Sequence, residues 1–166
     1  PSRPLNLIGA SGQLGYGVPQ AAFAEALRRE PDMIGADMGS TDIGPAFLGS
    51  GDMATSPQQT RRDLATLIKG ARSLDIPLII GSAGSAGAGP HLDATLAMVR
   101  QIAREEGLSL RLAVIRSDMP RDSVKAAVRA GKVRSLGLLA ELTAHPLWSG
   151  RRAPKPSSAR WSRSPT

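Results

Sequence analysis

Four short segments of the 166-residue chain concentrate groups that could bind a ligand. The first is GASGQLGYGVP, in which glycines recur as Gly9-x-x-Gly12-x-x-Gly15. This spacing is a variant of the fingerprint that lets the backbone of short-chain reductases approach a dinucleotide pyrophosphate. Asp37 follows Gly15 at about the distance expected of a ribose-binding acid. NAD(P) binding at Gly9, Gly12, Gly15 and Asp37 is therefore one hypothesis, although the Tyr-x-x-x-Lys pair of those reductases is absent. A Gly-rich turn is the simpler interpretation.

The second segment, DMGSTDIGPAFLGSG, combines two carboxylates and two hydroxyls, those of Asp37, Ser40, Thr41 and Asp42. Loops of this length inside a compact domain are uncommon and are often functional. These oxygens could hold a divalent metal or hydrogen-bond a polar ligand, with Asp37 and Asp42 as candidate catalytic groups. The alternative is that they only cap turns through bonds to the backbone.

The third segment, GSAGSAGAGPHLD, is composed almost entirely of small residues and runs into a predicted helix. Backbone amides at such a helix start favour a bound anion. The predicted ligand-binding residues here are Gly84, Ser85, Gly87 and Gly89. His91 is expected at the mouth of the site as a general base, with a cap or surface role as the alternative. The fourth segment ends at Asp118, which either reaches the same cleft or caps a helix.

The elements that carry these segments alternate between short aliphatic runs and stretches of helical periodicity. The predicted strands are Leu5–Ala10, Met33–Asp37, Pro77–Ser82 and Leu110–Ser117. The predicted helices are Pro19–Arg29, Pro57–Leu74, His91–Glu106 and Arg121–Ala130. Ser56 is expected to cap the second of these helices, with Gln59 completing a capping box. Alternation of this kind predicts an α/β fold, a three-layer Rossmann-like domain with a mostly parallel sheet of about four or five strands. Ligands of such sheets bind beyond the carboxyl ends of the strands, which is where all four segments fall.

Charge and composition separate the body of the chain from its end. Of the 21 Lys+Arg residues, 16 lie in residues 1–150 with all 14 acids, and 5 lie in residues 151–166 without one. We predict a domain over residues 1–140 and a disordered or non-native basic Pro/Ser/Arg tail over 141–166. The net charge of +7 therefore does not indicate a nucleic-acid partner for the domain.

Several classes of protein are disfavoured by what the sequence lacks. There is no cysteine, and no apolar run approaches the roughly 20 residues of a membrane-spanning helix. No secretory signal pattern opens the chain, so we expect a cytoplasmic protein that does not associate with membranes. No metal-binding residues are assigned, and the cofactor is left open, with a nucleotide-type coenzyme and a divalent metal as the candidates. A homo-oligomer or a partner chain is compatible with the sequence.

The segments LGYGVP, GADMGSTDIGPAFLGSG, PLIIGSAGSAGAGPHLD and AVIRSDMP together resemble the N-terminal part of the acyclic terpene utilisation family, the AtuA-like proteins. The resemblance spans residues 5 to 137. It implies a bacterial catabolic role and a family architecture that continues beyond this domain. Our first hypothesis is that the domain binds a small anionic or acyl-type metabolite, as an enzyme or part of one. The alternatives are an NAD(P)-dependent oxidoreductase and a non-catalytic subunit that needs a partner chain.

Overall fold

The computed structural model describes residues 3–10, 12–39 and 46–134. The chain divides into two compact units, Pro1–Asp118 and Met119–Thr166. The first unit contains, in chain order, β1 (Leu7–Gly9), α1 (Gln20–Leu27), β2 (Met33–Asp37), α2 (Ala46–Ser50), α3 (Pro57–Ser73), β3 (Leu78–Gly81), a short 3₁₀ turn (Ala83–Ser85) and α4 (Gly89–Glu105). The predicted domain boundary at residue 140 and the predicted tail lie outside the described residues.

The sheet is parallel, as the alternation of strands and helices predicts. Its described strands lie in the order β1-β2-β3, so the central strand is β2. Ile34 of β2 is aligned with Ile8 of β1 and with Leu78 of β3, and its side chain is fully buried. The mixed α/β class is therefore confirmed, and the sheet has three described strands.

Helix α3 forms the centre of the helical layer. Pro57 occupies its first turn, where the missing amide costs nothing, and the buried face carries Leu64, Leu67, Ile68 and Ala71. This face packs against β2 and β3. The predicted side-chain cap at Ser56 is wrong, because its hydroxyl makes no capping bond; instead its carbonyl accepts the amide of Thr60 at 2.9 Å.

The described helices that flank the sheet cover one of its faces. Phe23 of α1 lies against Gly70 of α3, and α4 packs against α3, so these three helices form one layer. The opposite face carries Leu7 and Ile79, whose exposed fractions are 60% and 56%. In the described part of the first unit, α1, α3 and α4 thus form one layer beside the sheet, and the second helical layer of a Rossmann-like domain is not confirmed.

The predicted fourth strand, Leu110–Ser117, is wrong. The structure gives residues 108–120 no helix or strand. A strand is stabilised by a hydrogen-bonded neighbour, and within the described ranges residues 109–117 make no backbone hydrogen bond. The aliphatic side chains that suggested a buried strand, Leu112, Val114 and Ile115, are exposed.

Asp32 fastens the beginning of β1 to the beginning of β2. Its carboxylate accepts the backbone amide of Asn6 at 2.8 Å and pairs with the Arg3 guanidinium. In return, the Asp32 amide donates to the Asn6 carbonyl at 2.8 Å. The bond from the Asn6 amide, followed by the Arg3 side chain, lowers the pKa of Asp32 below its usual value of 3.8.

The contacts of Asp32 with Asn6 and Arg3 predict a specific pH dependence of stability. Because the carboxylate form is favoured in the folded chain, its contribution to stability is present above pH 3.8 and is lost as the pH falls through the lower, folded-state pKa. Replacing Arg3 by alanine should raise the pKa of Asp32 only part of the way towards 3.8, since the larger contribution comes from the Asn6 amide. Carboxyl chemical shifts followed over an acid titration measure this directly. An unchanged pKa in the Arg3→Ala variant would contradict the assignment.

The second unit contains one described helix, α5 (Arg121–Arg129), which confirms the helix predicted over Arg121–Ala130 within one residue. Asp122 lies in its first turn and Arg129 in its last, the arrangement that the helix dipole favours.

Candidate functional site

The loops that follow the three strands are joined by backbone hydrogen bonds at the carboxyl edge of the sheet. The amide of Leu14, in the loop after β1, donates to the carbonyl of Asp37 at the end of β2 at 2.8 Å. The amide of Met38, just after β2, donates to the carbonyl of Gly81 at the end of β3 at 3.0 Å. The predicted edge therefore exists, and it brings segments of widely separated sequence side by side.

Asp37 is exposed at this edge. Its Oδ1 accepts the amide of Gly39 at 3.0 Å, which closes a tight turn after β2. Gly39 in turn packs so closely on the loop after β3 that a Cβ there would lie 2.4 Å from the Cβ of Ser82. The carboxylate keeps one oxygen without a bond to the described residues, so Asp37 both shapes the turn and presents charge to solvent.

The end of the long segment after β2 lies across the start of α4. The amide of Ala54 donates to the hydroxyl of Ser85 at 2.8 Å, and Gly51 lies against the ring of Pro90. Ser85 is buried. Its predicted role in ligand binding is therefore replaced by a structural one, since its Oγ fixes the neighbouring loop.

His91 is a core residue in this structure. Its side chain is fully buried, so the expectation that it stands at the mouth of the site is wrong. Nε2 lies 2.9 Å from the carbonyl of Asp52 and must donate to it, while Nδ1 has no hydrogen-bond partner among the described residues. The ring thus ties α4 to the loop that lies over it, and a proton acceptor there has no access to solvent.

The first amide of α4 is already paired with a carboxylate. The Gly89 amide donates to Oδ1 of Asp118 at 2.7 Å. The Arg116 guanidinium lies 3.6 Å from the position that a Cβ of Gly89 would occupy, and it pairs with Asp93. Arg116 and Asp93 are 53% and 60% exposed, so solutes can reach this cluster. Of the predicted residues, Gly89 and Asp118 are therefore brought into direct contact.

The glycine-rich loop after β1 is organised around a buried carboxylate that the sequence motifs did not indicate. Asp63 of α3 accepts the amides of Gly15 and Gly17 at 2.9 Å each and that of Val18 at 3.3 Å. Its side chain is fully buried. Gly15 is buried as well, against the side chain of Thr55. The amide that a dinucleotide pyrophosphate would need is thus used within the protein, which disfavours the NAD(P) hypothesis at Gly15.

A signal for Asp63 was present in the helical pattern. Residues 60, 63, 64, 67, 68 and 71 share one face of α3, and Asp63 is the only charged residue among them. A carboxylate on an otherwise buried face must be satisfied by donors from elsewhere, because an unpaired buried charge is strongly destabilising. That rule indicates a partner loop without saying which loop it is.

The remaining predicted residues have mixed outcomes. Ser40, Thr41 and Asp42 lie outside the described residues. Gly12 is exposed beside open space, Gly84 is buried against His91, and the Gly87 amide donates to the Ala83 carbonyl at 3.1 Å. In the described ranges, no three His, Asp or Glu side chains are grouped so as to hold a metal ion. Nor is any described helix both long and apolar enough to cross a bilayer.

Comparison with known proteins matched this chain to no family model, no curated protein and no solved structure.

Proposed function

We propose that the chain binds a small anionic or acyl-type metabolite at the carboxyl edge of its sheet, with the first amide of α4 as a donor. The observation that carries the proposal is the bond from the Gly89 amide to Asp118 beside the Arg116 guanidinium. A helix amino terminus and an arginine together select negative charge, and here the protein's own carboxylate has taken that position.

In this proposal the ligand displaces Asp118. A phosphate or carboxylate would accept from the Gly89 amide and pair with Arg116, which is free to leave the exposed Asp93. Asp37 supplies a further exposed charge at the same edge and is the candidate for acid–base chemistry together with Asp42. His91 is not retained as the proton acceptor, because it is buried and holds the Asp52 loop.

The resemblance to the acyclic terpene utilisation family favours an enzyme, or part of one, that degrades branched acids carried as free carboxylates or coenzyme esters. The NAD(P) alternative is disfavoured, because the Gly15 and Gly17 amides that would bind the pyrophosphate already donate to Asp63.

Two variants test the site. Replacing Asp118 by alanine removes the competing carboxylate, so the apparent Kd for inorganic phosphate or coenzyme A should fall by about tenfold, the factor that corresponds to one charge-assisted bond of about 1.4 kcal/mol. Replacing Arg116 by alanine should raise the Kd by a similar factor. Both are measured by calorimetric titration at low ionic strength.

Asp75→Asn is the matched control, because it also removes one negative charge but lies between α3 and β3, at the opposite edge of the sheet. It should leave the Kd unchanged. If Asp118→Ala and Asp75→Asn lower the Kd for phosphate equally, the effect comes from the net charge of the chain, and the site is not at α4. Stabilisation by NAD, with no response to phosphate or coenzyme A, would favour the oxidoreductase instead.

A further inference from the structure

The outer edge of β1 is a strand edge without a neighbour in the described part of the chain, since β1 is the first strand of the order β1-β2-β3. The Asn6 carbonyl and the Ala10 amide bond to the β2 side. Because backbone groups alternate along a parallel strand, Leu5, Leu7 and Gly9 direct their N–H and C=O groups to the open side.

Apart from the shortness of β1, which has three residues, and Pro4 before it, this edge carries none of the features that usually prevent strands from pairing. The sequence Leu5–Ala10 has no charged residue, and Leu5 and Leu7 are both more than half exposed. Proteins normally protect such an edge with lysine, an inward charge, a bulge or a covering element. Pro4, which has no backbone N–H, limits the strand at one end, whereas the outward groups of Leu5, Leu7 and Gly9 make no backbone hydrogen bond within the described residues.

A groove runs along this edge between β1 and α1. Its α1 side presents Ala22 and Ala26, whose small side chains allow close approach, and Glu25 and Arg29 at the rim. The groove therefore has backbone donors and acceptors along one wall and two small alanines with opposite charges one helical turn apart along the other. Within its own chain Glu25 pairs with Arg28 and Arg29, and a partner's arginine would exchange with these exposed contacts.

We propose that this groove is the interface of a homodimer in which β1 of one copy pairs antiparallel with β1 of a second copy. The two-fold axis passes through Leu7, so Leu7 lies opposite the partner's Leu7. Leu5 then lies opposite the partner's Gly9, which has no side chain to obstruct it. The same axis sets Glu25 against the partner's Arg29 and Arg29 against the partner's Glu25. The edge is thus complementary to itself in hydrogen bonding, in shape and in charge, as a two-fold interface requires.

The first test is the mass of the full chain in solution. Sedimentation equilibrium at micromolar concentration should give twice the chain mass of 17.3 kDa. Leu7→Lys places a charge at the centre of the interface and should raise the dimer Kd by about tenfold or more. Ile79→Lys is the matched control, because Ile79 lies on the same sheet face, is exposed to a similar extent and sits on β3. It should leave the Kd unchanged.

Two outcomes overturn the proposal: a wild-type chain that is monomeric under these conditions, and a dimer that survives Leu7→Lys. Loss of the dimer in both lysine variants, with circular dichroism unchanged, would place the interface on the open sheet face and would also overturn it.

A mixing experiment separates the charge pairing between copies from the loss of the Glu25 ion pairs within α1, because that loss is the same in the mixture as in the separate variants. Glu25→Arg alone makes both rim positions basic, and Arg29→Glu alone makes both acidic. Each variant should dimerise more weakly than the wild type, whereas an equimolar mixture should form heterodimers in which every rim contact is attractive. If the mixture dimerises as weakly as each separate variant, the two-fold pairing of Glu25 with Arg29 is contradicted. The dimer contact and the anion site use different residues, so either can fail without the other.

Discussion

Replacing Asp63 by alanine is expected to lower the free energy of unfolding by about 3–5 kcal/mol, because three backbone amides lose their acceptor at once and a buried unsatisfied donor costs about 1–3 kcal/mol. Two of these amides, those of Gly15 and Val18, are buried, so water cannot replace the carboxylate without entering the core. Urea denaturation followed by circular dichroism measures the change. We also expect the loop after β1 to become susceptible to proteolysis.

Two further variants show whether the loss of stability comes from the hydrogen bonds of Asp63 or from its charge. Asp63→Asn retains one oxygen, which can still accept the Gly15 and Gly17 amides that now share Oδ2, so it should cost less than alanine. Asp52→Ala is the control, because that carboxylate is exposed and only its backbone carbonyl accepts His91. Its effect should stay within about 0.5 kcal/mol. Equal effects of Asp63→Ala and Asp52→Ala would contradict the structural role of Asp63.

Replacing Gly84 by alanine is expected to be similarly damaging. Gly84 has φ +71°, a conformation that costs an alanine about 1–2 kcal/mol, and its Cβ would lie 2.6 Å from the carbonyl oxygen of His91. That oxygen belongs to the backbone of α4 and cannot rotate away, so the loop or the helix must move, at a further cost of about 1–3 kcal/mol. We expect a total loss of about 2–5 kcal/mol in unfolding free energy.

Gly87→Ala provides the matched control within the same loop. Gly87 has φ +67°, but the nearest atom to its Cβ position is 3.5 Å away. It should therefore show the backbone strain alone, about 1–2 kcal/mol. If the two variants are equally destabilised, the loop after β3 does not press against the first turn of α4 as described, and the position of the Gly89 amide would also be in doubt.

The elements predicted correctly from the sequence are those whose apolar residues are the ones buried in the structure. The boundaries of β2 coincide with the prediction, and α3 and α4 agree with it within one or two residues at each end. Their stripes of Leu, Ile and Ala are long enough to define a helical period. The strand predicted over Leu110–Ser117 is wrong, because an aliphatic run shows that a segment is suited to a strand but not that a neighbouring strand is present to form hydrogen bonds with it.

The carboxyl edge of the sheet was predictable from the sequence, but the backbone amides available there were not. Rules about parallel sheets place the loops after β1, β2 and β3 at one edge, and the bonds from Leu14 and Met38 agree with that. Which amides remain available depends on side chains from distant segments. The Asp63 carboxylate accepts the Gly15 amide, and the Asp118 carboxylate accepts the Gly89 amide. His91 was misjudged for the same reason, since its burial depends on the loop around Asp52, which no local pattern specifies.

The most direct test of the account follows the Gly89 amide by nuclear magnetic resonance while inorganic phosphate is added to the wild type and to Asp118→Ala. We expect the Gly89 resonance to shift and saturate in both proteins, with a midpoint about tenfold lower in the variant, which lacks the internal competitor. A Gly89 resonance that stays unmoved in both proteins, while amides elsewhere in the chain respond to phosphate, would contradict the proposed site.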